Sequence, residues 1–392
     1  QDALAEVLTG AGPVRELELD GADLGRWNSG LVTFVLRCQE LCLQRQIEVS
    51  LGTLPDGVHQ LLQLSRAVPE KSDARRAPRR PPWLAGEKTG LAPLSDMTAG
   101  DRYKGEDGGL YGQGRNEPPP DHATAARREG ARIQPLDAAG QPSPEGKIVL
   151  LSIGMSNTAQ EYRAFMQLAR TNAGRNPQLV LVDGAAASMD VTLWAEDQRL
   201  PQAGMTPWEL LARRLERAGV SPYQVQVVWL KQAKMGPASW GEFPAHARKL
   251  ADGLAVILRR AKERLPNLRV ACLSSRTFAG HATIGLNPEP YAYESAFAVR
   301  WLIQEQIQGD PKLNFDPAKG PVVCPLLLWG PYLWTDGLTP RRSDGLVWTR
   351  ADVAEDGTHP SQSGQDKVAR LLWDFFTRND LTKDWFAGPQ PH

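Results

Sequence analysis

From Lys147 onward the chain repeats one rhythm: an apolar run, a loop, an amphipathic helical stretch, then another apolar run. The runs are Ile148 to Ile153, Leu179 to Val182, Val225 to Leu230, Leu268 to Leu273 and Val322 to Leu328. Between them lie helical patterns over Thr206 to Ala218, Pro244 to Arg264 and Tyr291 to Gln308, and a last one runs from Ser361 to Arg378. Strands alternating with helices predict a five-stranded parallel sheet covered on both faces, a three-layer α/β/α sandwich. Such sheets carry their sites beyond the carboxyl ends of the strands. Chemistry is therefore sought in the loops that follow each apolar run.

Directly after the first run comes Gly154-Met155-Ser156-Asn157-Thr158, followed by the helical stretch Ala159 to Arg170. A serine at such a turn sits at the sheet's carboxyl edge, beside a helix N-terminus that favours negative charge. A helix N-cap is the plainer reading of a serine there, so a second element is needed. Asp356-Gly357-Thr358-His359-Pro360-Ser361 supplies it, just before the last helix. Three-residue spacing lets one short loop deliver a carboxylate and an imidazole together. Asp356 then fixes the proton on one ring nitrogen of His359 while the other faces Ser156. Of the six histidines, His59 stands in a similar Asp56-x-x-His59 string, but among apolar neighbours on an N-terminal helix. His122, His246, His281 and His392 read as solvated or capping residues.

The preceding 145 residues divide in two. Residues 1–72 read as a small βαβα unit: a strand at Val14 to Leu19, a helix from about Ser29 to Gln46, a strand at Ile47 to Leu51, and a helix opening near Asp56. Residues 73–145 are rich in Arg, Pro and Gly, from Arg75-Arg76-Ala77-Pro78-Arg79-Arg80-Pro81-Pro82 to Pro118-Pro119-Pro120, which is linker chemistry. Within them Tyr103 to Gly112 sets two tyrosines amid glycines, which suggests a fixed loop that packs on residues 146–392. The 45 basic and 45 acidic residues cancel, so no overall field favours nucleic acid or an anionic membrane. The longest apolar stretch, Pro321 to Trp334, is broken by Pro325, Gly330 and Pro331 and is shorter than the roughly 20 residues of a membrane span. Cys38, Cys42, Cys272 and Cys324 sit in apolar patterns and are assigned no chemistry. No metal or organic cofactor is called for.

Gly154-Met155-Ser156-Asn157 and Asp356-x-x-His359 together resemble blocks I and V of the SGNH (GDSL-like) hydrolase family, over about residues 146–380. The resemblance implies a flavodoxin-like sandwich and a serine esterase with the triad Ser156, Asp356 and His359. The family's second block is a glycine after the second strand. Val182-Asp183-Gly184 fits it, which implies that the Gly184 and Ser156 amides form an oxyanion hole; a simple turn glycine is the alternative. The third block departs from pattern: Gln232-Ala233-Lys234 puts Lys234 where the family has asparagine, with Gln232 as the competing donor. Several sugar O-acetylesterases of the family have Gly-Gln-Ser-Asn-Met at block I and a glutamine at block III; here Met155 and Thr158 stand in the Gln and Met places.

Asn287-Pro288-Glu289-Pro290-Tyr291-Ala292-Tyr293-Glu294, with Arg276, lies after the fourth run at the same sheet edge. Asn157, Arg276, Tyr291, Tyr293 and Glu294 are the candidate substrate contacts, as a polar and aromatic wall for a carbohydrate ester; a helix start with core tyrosines is the alternative. No continuous apolar groove for a long acyl chain is legible, so a short acyl group on a polar alcohol is expected.

Trp27-Asn28-Ser29-Gly30 and the following Leu31 to Leu36 resemble a STAS domain over about residues 12–70. That resemblance implies phosphorylation or a protein partner at Ser29, which an ordinary helix N-cap would also explain. The other function class is thus a binding or regulatory protein on a degenerate hydrolase fold. The two resemblances point to different compartments; a soluble, exported protein, secreted or periplasmic, is expected ahead of a cytoplasmic one.

Overall fold

In the computed structural model the described residues are 16–19, 35, 38, 42, 47–54, 58, 86–172, 174–200 and 204–387. The chain divides into two compact units, Gln1–Pro78 and Arg79–His392. In the first, β1 (Glu16–Glu18) and β2 (Glu48–Ser50) pair in parallel, with Leu17 opposite Val49. Val35, Leu54 and Val58 form its small core, with Leu19 and Leu51 packed against them. Trp27 to Gly30, including Ser29, lie outside the described residues, as do Asp56 and His59.

The second unit is built on β3 (Ile148–Gly154), β4 (Leu179–Asp183), β5 (Val225–Lys231), β6 (Val270–Leu273) and β7 (Leu326–Trp329). They form one parallel sheet in the order β4-β3-β5-β6-β7. Every residue of β3, β5, β6 and β7 is buried, which is why their sequences are continuous apolar runs and not alternations. The helices are α1 (Pro120–Gly130), α2 (Ser156–Arg170), α3 (Val191–Glu196), α4 (Pro207–Arg217), α5 (Ala245–Arg264), α6 (Tyr291–Ile307), α7 (Gln362–Arg378) and α8 (Lys383–Phe386). α2 packs on α7, and α5 on α3 and α6. The chain steps from β3 outward to β4 and then back across β3 to β5, and the right-handed rule for parallel crossovers then puts these two groups on opposite faces. The predicted three-layer sandwich is the observed one. The last strand begins later than Val322, since Pro325 has no N–H to give a ladder.

Residues 86–147 differ from free linker chemistry. Asp336 accepts from Thr89 Oγ1 and from the amides of Thr89 and Gly90, and the buried Arg300 guanidinium holds the Asp107 carbonyl and the carboxylates of Glu106 and Asp107. The proline run that reads as linker instead starts α1, with Pro120 in its first turn, where a missing N–H costs nothing. His122 on α1 is buried, with Nε2 2.7 Å from the Leu327 carbonyl, so it is neither solvated nor capping.

Beneath the start of α2, Lys231 and Glu161 form a fully enclosed ion pair, their side chains 0% and 1% exposed. Burial pushes Lys231 down to about 8 against the pull of Glu161. Removing one partner leaves a buried charge uncompensated, whereas removing both does not. Lys231→Met should therefore cost about 3–5 kcal/mol in denaturant unfolding, and Lys231→Met with Glu161→Leu should recover most of it. Equal losses in the single and double variants would show that the pair is not the source.

Candidate active site

β3 ends at Gly154, Met155 is the N-cap, and α2 begins on Ser156. Gly154 has no room for a side chain: a Cβ there would stand 2.4 Å from the Lys231 carbonyl and 2.5 Å from Thr158 Cβ. Thr158 Oγ1 donates to that same carbonyl at 2.8 Å, so the turn is seated on the end of β5. The Ala159 amide is the first to bond back along the helix, to Met155. The amides of Ser156, Asn157 and Thr158 thus have no acceptor within α2.

The loop before α7 closes on this turn. Ser156 Oγ lies 2.8 Å from His359 Nε2, and His359 Nδ1 lies 2.5 Å from Asp356 Oδ2. The other Asp356 oxygen accepts from the amides of Thr358 and His359, both at 2.9 Å. Burial works against the Asp356 charge, but bonds from the His359 ring and these two amides outweigh it and hold the carboxyl at about 2. Gly357 turns the loop at φ 64°, where a Cβ would strike the His281 carbonyl at 1.7 Å. Asn157 Nδ2 donates to the Thr358 carbonyl at 3.1 Å, tying the serine turn to the histidine loop.

The three oxyanion donors assigned from the sequence beyond Ser156 are committed elsewhere. The Gly184 amide donates to Ser152 Oγ at 3.2 Å. Lys234 Nζ pairs with Asp190 at 2.8 Å, because Asp190, the N-cap of α3, already gathers the amides of Thr192, Leu193 and Met235 and draws the ammonium to it. Gln232 is buried, donating to the Met189 carbonyl and accepting from the Ala233 amide. The uncommitted amides are those at the start of α2.

The proposed substrate wall is also redistributed. Tyr293 and Glu294 are interior, since α6 is buried on nearly every side. Tyr293 Oη meets Met97 Sδ at 3.3 Å. Glu294 accepts from Tyr103 Oη at 2.6 Å and Lys104 Nζ at 2.8 Å, and faces His246 Nε2 at 2.6 Å. Burial opposes the Glu294 charge, but the bonds from His246, Lys104 and Tyr103 prevail and hold its pKa below the usual value. His246 is correspondingly a core residue, not a cap. Tyr291 is half-buried, edge-on to His246 at 4.8 Å. Asn157 is buried as a brace, and Arg276 is buried where the charges of Glu161, Glu289 and Asp356 reach it. Sequence reasoning missed the Lys231–Glu161 pair and the Ser152 acceptor; no local pattern marks them, as each partner lies on an element distant in sequence.

Among the described residues no group of three or more His, Cys, Asp or Glu is placed to hold a metal ion, and no helix is long and apolar enough to cross a membrane. No family model and no curated protein matches the chain. Among solved structures, a presumptive acylhydrolase from Bacteroides fragilis NCTC 9343 aligns at 11% identity and a TM-score of 0.34, over 66% of this chain and 97% of that one. A gut microbial diltiazem-metabolizing enzyme aligns at 12% identity and a TM-score of 0.31, over 58% of this chain and 46% of that one.

The depressed Asp356 carboxyl makes stability depend on pH in a definite direction. A group whose pKa falls on folding stabilises above its unfolded value and loses that contribution as pH drops through the folded one. Wild type should be more stable than Asp356→Asn at pH 6, and the gap should close between about pH 4 and pH 2 in thermal melts. A gap that persists unchanged at pH 2 would mean that something other than this ionisation supplies it.

Proposed function

We propose that the second unit is a carboxylic ester hydrolase of the SGNH type, acting on short-chain esters and, within those, on O-acetyl groups of carbohydrate. The observation that carries this reading is the hydrogen-bonded chain from Ser156 through His359 to Asp356. Ser156 Oγ attacks the ester carbonyl as His359 Nε2 takes its proton, forming a tetrahedral oxyanion. The amides of Ser156 and Asn157, at the positive end of α2, stabilise that charge. The ester C–O bond then breaks, the alcohol leaves with the proton from His359, and water repeats the cycle to release the acid. Asp356 stays ionised and keeps the imidazole in the productive tautomer.

One observation favours a second reading, a binding protein on an inactive hydrolase scaffold: Gly184, Lys234 and Gln232 all have partners within the protein. A fluorophosphonate probe separates the two, since only an activated Ser156 is labelled. Hydrolysis of p-nitrophenyl acetate, butyrate and octanoate should fall with acyl length and vanish in Ser156→Ala. Equal rates in wild type and variant would favour the binding protein. Because Lys234 is held by Asp190, Lys234→Ala should lower kcat by less than about tenfold, whereas loss of a true oxyanion donor costs about a hundredfold or more. A loss of that larger size would restore Lys234 to the oxyanion hole.

A further inference from the structure

The loop from Ser274 to Asn287, between β6 and α6, spans the edge of the sheet from the triad to the end of β5. At one side the Thr283 amide donates to the Asp356 carbonyl at 3.0 Å, and the His281 carbonyl is the group that Gly357 is seated against. At the other, Asn287 Nδ2 donates to the Lys234 carbonyl at 3.1 Å and the Leu286 carbonyl accepts from the Gly236 amide at 2.9 Å. This loop concentrates a feature that interiors avoid. Among the described residues eleven buried side-chain polar atoms find no hydrogen-bond partner, and four of them fall here: Ser275 Oγ, Arg276 Nε, His281 Nε2 and Asn287 Oδ1. Buried polar groups are paired as a rule, and each exception calls for an explanation.

Arg276 is the extreme case, a guanidinium only 2% exposed. A buried charge is costly unless paired and hydrogen-bonded. The carboxylates whose charge it feels are all engaged with other groups. Glu161 is held by Lys231; Glu289 accepts from the Ala279 and Tyr293 amides and from Trp334 Nε1; Asp356 is held by His359 and Thr358. The protein thus supplies Arg276 with charge balance but no acceptor oriented on its donors. A planar fork of N–H donors matches the two oxygens of a carboxylate. Elsewhere on the same loop Asn287 Oδ1 can only accept, and Ser275 Oγ can do either, which is a complement for hydroxyl groups.

We infer that this loop is the specificity wall of the cleft and that Arg276 recognises a carboxylate on the substrate, so that the ester acted on is one of a hydroxylated acid, such as an O-acetylated uronic acid. The inference rests on the esterase reading above and names its substrate class. Arg276 selects by binding, so its effect is carried by KM and by the ratio between acidic and neutral esters.

The test compares kcat and KM of the full chain on mono-O-acetylated glucuronic acid and mono-O-acetylated glucose, with fluorophosphonate labelling of Ser156 run alongside. A charge-assisted pair of bonds predicts a preference for the acidic ester of about tenfold or more in kcat/KM, mainly through KM. Arg276→Gln should bring that ratio close to one, and Arg276→Lys should retain part of it. Labelled Ser156 with equal kcat/KM on the two wild-type substrates would overturn this inference and leave the esterase standing; that comparison needs no variant to fold. A preference that survives unchanged in Arg276→Gln, or an equal fall of kcat on both esters with the ratio kept, would overturn it too, the latter pointing to a role in positioning Asp356. Unlabelled Ser156 with no turnover of either ester would remove the esterase reading, and this one with it.

Discussion

Lys231 and Glu161 carry opposite charges where water reaches neither, and much of the site depends on how they are held. Lys231 closes β5; Glu161 stands on α2 one turn past the serine. Their attraction in a low-dielectric interior fixes the helix against the strand end, and the Lys231 carbonyl takes the Thr158 hydroxyl and leaves Gly154 no side-chain room. The position of Ser156 is therefore set by contacts on both sides of its own turn. An isolated helix N-terminus would fray; this one is clamped before any substrate arrives.

The histidine loop meets it through a different set of contacts. Asp356 receives three N–H groups from its own loop, and Asn157 bridges back to that loop from α2. The carboxylate thus remains charged far below neutral pH, and its charge orients a ring whose far nitrogen faces the serine. A buried guanidinium, Arg276, and a buried ammonium, Lys231, lie behind these groups, each set against carboxylates distant from it in sequence. The helix end adds positive potential with its own amides.

What could be read in the sequence follows from this division between local and distant causes. The sheet was legible because strands buried on both faces must be continuous apolar runs, and Ile148 to Gly154 is one. Ser156, Asp356 and His359 were legible as candidates because each lies within a short motif whose spacing has a mechanical meaning. Glu161 and Lys231 were not, since a charged residue in a strand or helix looks solvated until its partner, 70 positions away, is placed beside it. Lys234 shows the same limit: its slot suggests an oxyanion donor, and its pairing with Asp190, 44 positions away, is invisible until the fold is built. Tyr293 and Glu294 looked like a wall because the polar letters at a helix start are ambiguous; Tyr103 and Lys104, on the loop expected to pack on residues 146–392, bond Glu294, and the Tyr103 ring meets that of Tyr293.

The seat of Gly357 against the His281 carbonyl bears on how such a chain can change over time. The turn that carries Asp356 and His359 is shut against the loop that carries Ser275, Arg276 and Asn287, with no side chain between them. Lengthening or exchanging that loop would unseat the turn, so whole-loop replacement, a common way for α/β enzymes to acquire new substrates, is closed at this edge. Divergence here has to proceed by single substitutions within a loop of fixed length, and relatives with different preferences should share its backbone while differing at a few of its side chains.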